Sequence, residues 1–225
     1  MRLLNDLINL VLAETCAGCG LAAGLLCRRC ASRLETPARR VGRSSGAPCP
    51  WAVTVYEGPV QAMLVAHKEH GRTALARPLG AALARAVRAA LAEHPGAPRD
   101  PPVALVPVPS ARSAVRRRGH DPTRRMTDAA VRELRTTGMA AVRVDALRHR
   151  RRVADQAGLT AAQRAANLEN ALTARRPLPG RRLVVVDDVV TTGATLAEAT
   201  RALTEAGATV IAAATVAATP RHHPP

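Results

Sequence analysis

Residues 183–196 read LVVVDDVVTTGATL. The opening apolar run has the pattern of a strand buried on both faces, the habit of parallel sheets in α/β proteins. Asp187 and Asp188 stand at its end. Neighbouring carboxylates repel each other and are costly to desolvate, so a cation or a row of ligand hydroxyls is expected over the strand end. Thr191, Thr192, Gly193, Ala194 and Thr195 then lead into a helix expected over 195–206. Small residues let the backbone approach an anion, amides at a helix start bind phosphate, and the threonine hydroxyls add donors. The Thr/Gly turn alone fits an ordinary capped helix better, but that reading leaves the acidic pair unexplained.

Outward from this stretch, WAVTVYEG (51–58) reads as a strand, and 59–71 and 73–94 carry helical periodicity. VALVPVP (103–109) reads as a short buried strand, followed by a basic loop and a helix near 121–137. A strand around 142–147, a second basic loop, the strand 182–188 and a last strand over 209–217 complete the series, with a frayed tail from 219. Strands alternating with helices predict an α/β fold whose parallel sheet is covered on both faces. In such sheets ligands sit beyond the carboxyl ends of the strands, which is where Asp187 and Asp188 fall.

Near the N-terminus, CAGCGLAAGLLCRRC (16–30) places Cys16, Cys19, Cys27 and Cys30 in two C-x-x-C turns. Four thiolates on two tight turns can converge on one zinc ion; two disulfides or idle thiols are the alternatives. The preceding MRLLNDLINLVLAETC has leucines at helical spacing, but Asn5, Asp6 and Asn9 interrupt it. It reads as a short amphipathic helix rather than an export signal or a membrane span, so a soluble cytoplasmic protein with zinc rather than disulfides is expected. Cys49 stands apart as a bystander. Residues 35–50, rich in Pro, Gly, Ser and Arg, read as a linker. The expected organisation is therefore helix, knuckle and linker over 1–50 and the main domain over 51–220.

The net charge is +16, and of 33 basic residues all but Lys68 are arginine. Basicity of this order favours phosphate-bearing partners, although an Ala- and Arg-rich coding bias produces the same excess. Trp51 and Tyr56 are the only aromatic residues. A base-stacking platform is thus missing, and any contact with nucleic acid is expected to be electrostatic and weakly sequence-selective.

VVVDDVVTTGATL resembles the phosphoribosyl pyrophosphate (PRPP) motif of type I phosphoribosyltransferases. The four-cysteine knuckle, a K-x-x-G segment at Lys68–Gly71, VPVPSARSAVRRRGHDPTRRM (106–126) and RRVADQAGLTAAQRAANLENAL (151–172) extend the likeness to the ComF family over nearly the whole chain. The resemblance implies a type I phosphoribosyltransferase sheet carrying a small N-terminal zinc knuckle. It further implies that Asp187 and Asp188 form the catalytic pair, contacting the ribose hydroxyls with Mg2+ nearby, while Thr191–Thr195 hold the 5-phosphate. Arg112 and Arg118 would line the PRPP pocket, and Arg151, Gln156, Arg164 and Asn167 would lie on a mobile loop that closes over it. Taken singly, each arginine reads as a surface charge; as a set they suit the leaving pyrophosphate. Where the family often has R-G-F/Y-N-Q, this chain has Arg118, Gly119, His120, Asp121 and Pro122. The function implied is transfer of phosphoribose from PRPP to an acceptor that the sequence does not identify. The alternative is a non-catalytic PRPP-binding or DNA-binding accessory protein of DNA uptake (natural competence) or repair, contacting single-stranded DNA or a helicase.

Overall fold

The computed structural model describes residues 15–42, 46–94, 102–150 and 168–220. The helices are α1 (Arg28–Ser32), α2 (Gly58–Glu69), α3 (Ala76–Ala92), α4 (Arg112–Arg118), α5 (Pro122–Thr136) and α6 (Ala194–Glu205). The strands are β1 (Arg39–Arg40), β2 (Pro50–Val55), β3 (Val103–Pro107), β4 (Ala141–Arg143), β5 (Leu147–His149), β6 (Leu172–Ala174), β7 (Arg182–Val190) and β8 (Thr209–Ala218). Six strands form one sheet in the order β1-β2-β8-β7-β3-β4, and β5 pairs with β6 in a separate hairpin. All pairings in the main sheet are parallel except β1 with β2. No helix among the described residues is long and apolar enough to cross a membrane.

The apolar run of β7 is continuous because both of its faces are covered. Val184 and Val186 belong to a core with Leu79, Leu83 and Val87 of α3 and Leu134 of α5. Leu183 and Val185, on the alternate face, belong to a second core with Leu196, Ala199 and Leu203 of α6. With no phenylalanine in the chain, the first core is built from Ala, Val, Leu and Met with Ile211, Cys16 and Cys30, and the second from Ala, Val and Leu alone. Small side chains bring the layers close. At Gly80 of α3, a Cβ would stand 2.5 Å from Ala129 Cβ and 2.8 Å from the Ala130 nitrogen of α5.

The strand order also sets the position of the site. From β3 the chain crosses through α5 to β4 on one side, and from β7 it crosses through α6 to β8 on the other. Right-handed crossovers running in opposite directions place their helices on opposite faces, so a crevice opens between the carboxyl ends of β3 and β7.

Four local expectations change. The segment 35–50 contains the edge strand β1, whose Arg39 and Arg40 pair with Ala52 and Trp51. The stretch after β3 is not a loop: residues 112–118 form α4, closed by Gly119 at φ 76°, the left-handed region that favours glycine. The strand expected over 142–147 is broken into β4 and β5, with Val144 donating to Leu105 and Ala146 turning back to Val144. Finally, β7 does not stop at the acids but pairs with β8 as far as Val190.

Gly80→Ala is expected to destabilise the fold by about 1–3 kcal/mol, because the overpacked methyl meets backbone and outweighs the roughly 1 kcal/mol that alanine gains over glycine in a helix. Urea unfolding measures it; unchanged stability would refute the close α3–α5 approach.

Candidate active site and metal-binding cluster

A cleft of about 890 Å³ lies at the crevice, with Asp187 and Asp188 in its lining. The strand alternation that separates Val185 from Val186 carries on through the acids, so their side chains leave β7 towards opposite faces. Each carboxylate also accepts from the amide that follows it: Asp188 N donates to Asp187 Oδ1 at 2.8 Å and Val189 N to Asp188 Oδ1 at 3.0 Å. Lys68, in the last turn of α2, donates its Nζ to Asp188 Oδ2 at 2.8 Å. The pair is partly shielded, with side-chain exposures of 38 % for Lys68 and 14 % for Asp188.

One ammonium bound to only one of two acids divides their behaviour. Burial, followed by the charge of Asp188, pushes the Asp187 carboxyl well above its ordinary range. Burial acts on Asp188 in the same sense, but the charge and hydrogen bond of Lys68 outweigh it and hold that carboxylate below its ordinary range. The charge of Asp188 in turn raises the Lys68 ammonium against the effect of burial.

The Thr/Gly segment opens α6 as expected, with Gly193 at φ 85° as the N-cap residue, which has no side chain to cap with. Thr192 Oγ1 accepts from the first amide, Ala194 N, at 3.3 Å, and the amides of Thr195 and Leu196 have no intrahelical acceptor. Thr191 and Thr195 line the large cleft. Thr192 and Gly193 instead line a recess of about 230 Å³ behind the loop, shared with Thr191 and Arg39. The expected phosphate cradle is therefore a thin partition between two hollows.

On the opposite wall, Arg117 and Arg118 line the cleft, whereas Arg112, at the exposed start of α4, does not. Arg118 grips Glu69 with Nε at 2.8 Å and Nη2 on the second oxygen, linking α4 to the residue after Lys68. The departure at 120–122 has a structural account. His120 packs its ring on that of His67, with centroids 6.1 Å apart, and its Nε2 lies 3.2 Å from the His67 carbonyl oxygen. Asp121 caps α5 by accepting from Arg124 N at 3.1 Å, and Pro122 occupies the first turn, where no amide is needed. Arg151, Gln156, Arg164 and Asn167 lie outside the described residues, as do residues 1–14. Arg150 is described and exposed, its amide donating to Ala171 O at 2.8 Å.

Among the cleft residues without a role read from sequence are Tyr56, Ser110 and His149. Tyr56 follows the end of β2, Ser110 follows β3, and His149 ends β5. His149 Nε2 is 2.9 Å from Pro109 O, and its buried Nδ1 has no hydrogen-bond partner among the described residues. Lys68 was marked only by the K-x-x-G pattern and by its uniqueness as a lysine, since its partner lies 120 residues away.

At the N-terminus, the ligand atoms of Cys16, Cys19, Cys27 and Cys30 all lie within 4.8 Å of one another, so the four cysteines are positioned to hold a metal ion. All five cysteines are free thiols, and Cys49 stands apart, donating to Gly42 O at 2.6 Å. Burial acts to raise the Cys16 thiol, but amides of Cys27, Cys19 and Gly18 outweigh it and bring the pKa to about 6. Burial pushes Cys30 upward. Gly18 leaves room for the cluster, because a Cβ there would stand 2.8 Å from Cys30 Sγ.

A mostly parallel sheet with an acidic pair and a Thr/Gly helix start at its switch point defines a phosphoribosyltransferase domain, and the phosphoribosyl transferase domain family matches residues 124–225. Competence protein F of Haemophilus influenzae is 29% identical over 210 residues, covering 88% of this chain and 89% of that protein. DNA utilization protein YhgH of Salmonella typhi is 30% identical over 190 residues, covering 83% and 81%. The same-named protein of Escherichia coli K12 is 43% identical over 67 residues, a match that spans only 30% of its length. With its four-cysteine cluster and these relatives, the chain belongs to the ComF family.

The two acids are expected to respond oppositely to amide substitution in the ligand-free protein. A carboxyl held above its ordinary value favours folding below about pH 4 and loses that contribution as pH rises; one held below it does the reverse. Asp187→Asn should therefore stabilise the protein at pH 8, with a smaller gain at pH 5. Asp188→Asn should destabilise it by about 1–2 kcal/mol at neutral pH, less than a fully buried pair because Lys68 retains solvent. Urea unfolding at both pH values checks this, and equal effects from the two substitutions would refute the division.

Proposed function

We propose that the chain binds PRPP with Mg2+ in the strand-end cleft and transfers its phosphoribosyl group to a nucleophilic acceptor. The observation that carries this reading is the meeting of Asp187 and Asp188 with the start of α6 across one cleft. The oxygen donors of the acidic pair suit a hard cation, and Asp187 and Asp188 would hold Mg2+ together with the ribose hydroxyls. When bound, the ion would neutralise charge on the departing pyrophosphate. The first-turn amides of α6 with Thr191 and Thr195 hold the 5-phosphate, and Arg117 and Arg118 face the pyrophosphate as it leaves C1. Arg112 is better read as a surface charge.

The cysteine cluster is read as a structural zinc site. Four thiolates at about 2.3 Å from one tetrahedral zinc ion stand roughly 3.8 Å apart, and Cys19 Sγ lies 3.7 Å from Cys27 Sγ. The four-cysteine segment then acts as a metal-held buttress for the 51–220 domain. The names of the relatives support a second reading, an accessory protein that handles DNA during uptake.

Purified reduced protein is expected to carry one zinc per chain, and Cys27→Ser or Gly18→Ala to lose affinity for it; metal analysis without stoichiometric zinc would refute the site. In calorimetry PRPP should bind only with Mg2+. Asp188→Asn and Thr195→Val should weaken it about ten- to a hundredfold, the cost of one hydrogen bond to a charged group. Wild-type protein that ignores PRPP refutes the reading. Pyrophosphate release screened across candidate acceptors separates the enzyme from the accessory protein: release with none of them while PRPP still binds favours the second.

A further inference from the structure

The only lysine of this chain reaches the site, although arginine serves at every other basic position apart from histidine. The difference is chemical. A guanidinium fork takes both oxygens of a carboxylate, as Arg118 does on Glu69. An ammonium is a compact point charge on a flexible stem, able to leave one oxygen and turn to another. Lys68 holds Asp188 through the single contact to Oδ2, at 2.8 Å, while Asp188 Oδ1 is occupied by the amide of Val189. Its side chain lines the same cleft as Arg117 and Arg118 and is 38 % exposed, so it has freedom to move towards the cleft. Its neighbour Glu69 is already engaged by Arg118 and offers Lys68 no easy alternative.

Resting on the reading of the cleft as a PRPP site, we propose that Lys68 is an exchangeable counter-ion. It holds Asp188 while the cleft is empty and passes to the diphosphate of PRPP when ribose hydroxyls and the divalent cation take Asp188. The residue thus does two opposed things: it competes with a metal ion offered alone, and it assists the same metal when the diphosphate arrives. A salt bridge that merely holds α2 in place would do neither.

Full-length, zinc-replete wild type, Lys68→Gln and Lys68→Arg provide the test. Mn2+ offered alone is titrated by the electron paramagnetic resonance signal of the free ion, and PRPP at saturating Mg2+ by calorimetry. Lys68→Gln should bind Mn2+ about tenfold tighter than wild type and PRPP at least tenfold more weakly. Lys68→Arg, whose fork can clamp Asp188, should bind Mn2+ several-fold more weakly than wild type, and it keeps the exchange testable if Lys68→Gln does not fold. Wild type that binds PRPP while Lys68→Gln binds it equally well overturns the exchange alone, as do variants that share the wild-type Mn2+ affinity or lose affinity for both ligands together. Wild type that does not bind PRPP overturns the reading of the cleft and the exchange with it.

Discussion

A buried strand can carry two adjacent carboxylates only where their charge is compensated, and here one ammonium from α2 supplies the compensation. Much of the architecture follows from that requirement. The reversal of strand order between β3 and β7 opens a crevice in which the acids are not fully desolvated. The alternation of β7 sends them to different faces, and the amides of Asp188 and Val189 engage one oxygen of each. The remaining imbalance falls on Asp187, which is why the two acids have unlike proton affinities although they are adjacent in the chain.

Around this centre the fold works with small side chains. Alanines along β8 and α3 allow the layers to approach closely without aromatic filler, and at Gly80 α3 and α5 leave no room for a Cβ. The chain also shows how a different set of residues fills the junction between α2 and α5. His120 packs on His67, whose own pKa burial lowers, and the Asp121–Pro122 pair starts α5. A ring–ring contact and a helix cap thereby hold together the junction that carries both Lys68 and Arg118.

Features with a short-range signature were legible in the sequence. The both-face burial of Leu183–Val186 reads directly from an uninterrupted apolar run, the cysteine cluster from two C-x-x-C turns, and the α6 start from its Thr/Gly approach. What was not legible depends on contacts between distant segments. Nothing near Lys68 names Asp188 as its partner. The seven residues of α4 carry three successive arginines, which look like loop until Arg118 finds Glu69. The two residues of β1 become a strand only because β2 offers an edge. Likewise β7 runs past its acids because β8 continues to pair with it, a matter of register rather than composition.

The cysteine cluster is not an appendage. Cys16 and Cys30 are 2% and 1% exposed and share a core with Val60 and Met63 of α2, while Arg72 reaches back to Thr15 O at 2.8 Å. The helix that presents Lys68 to the acids is thus seated on the cysteine-bearing loops. Reciprocity then applies: if an ion held by the four cysteines changed the affinity of the cleft for a ligand through the seat of α2, that ligand would change the affinity for the ion by the same factor. The cysteine cluster and the strand-end cleft share one helix as a common wall.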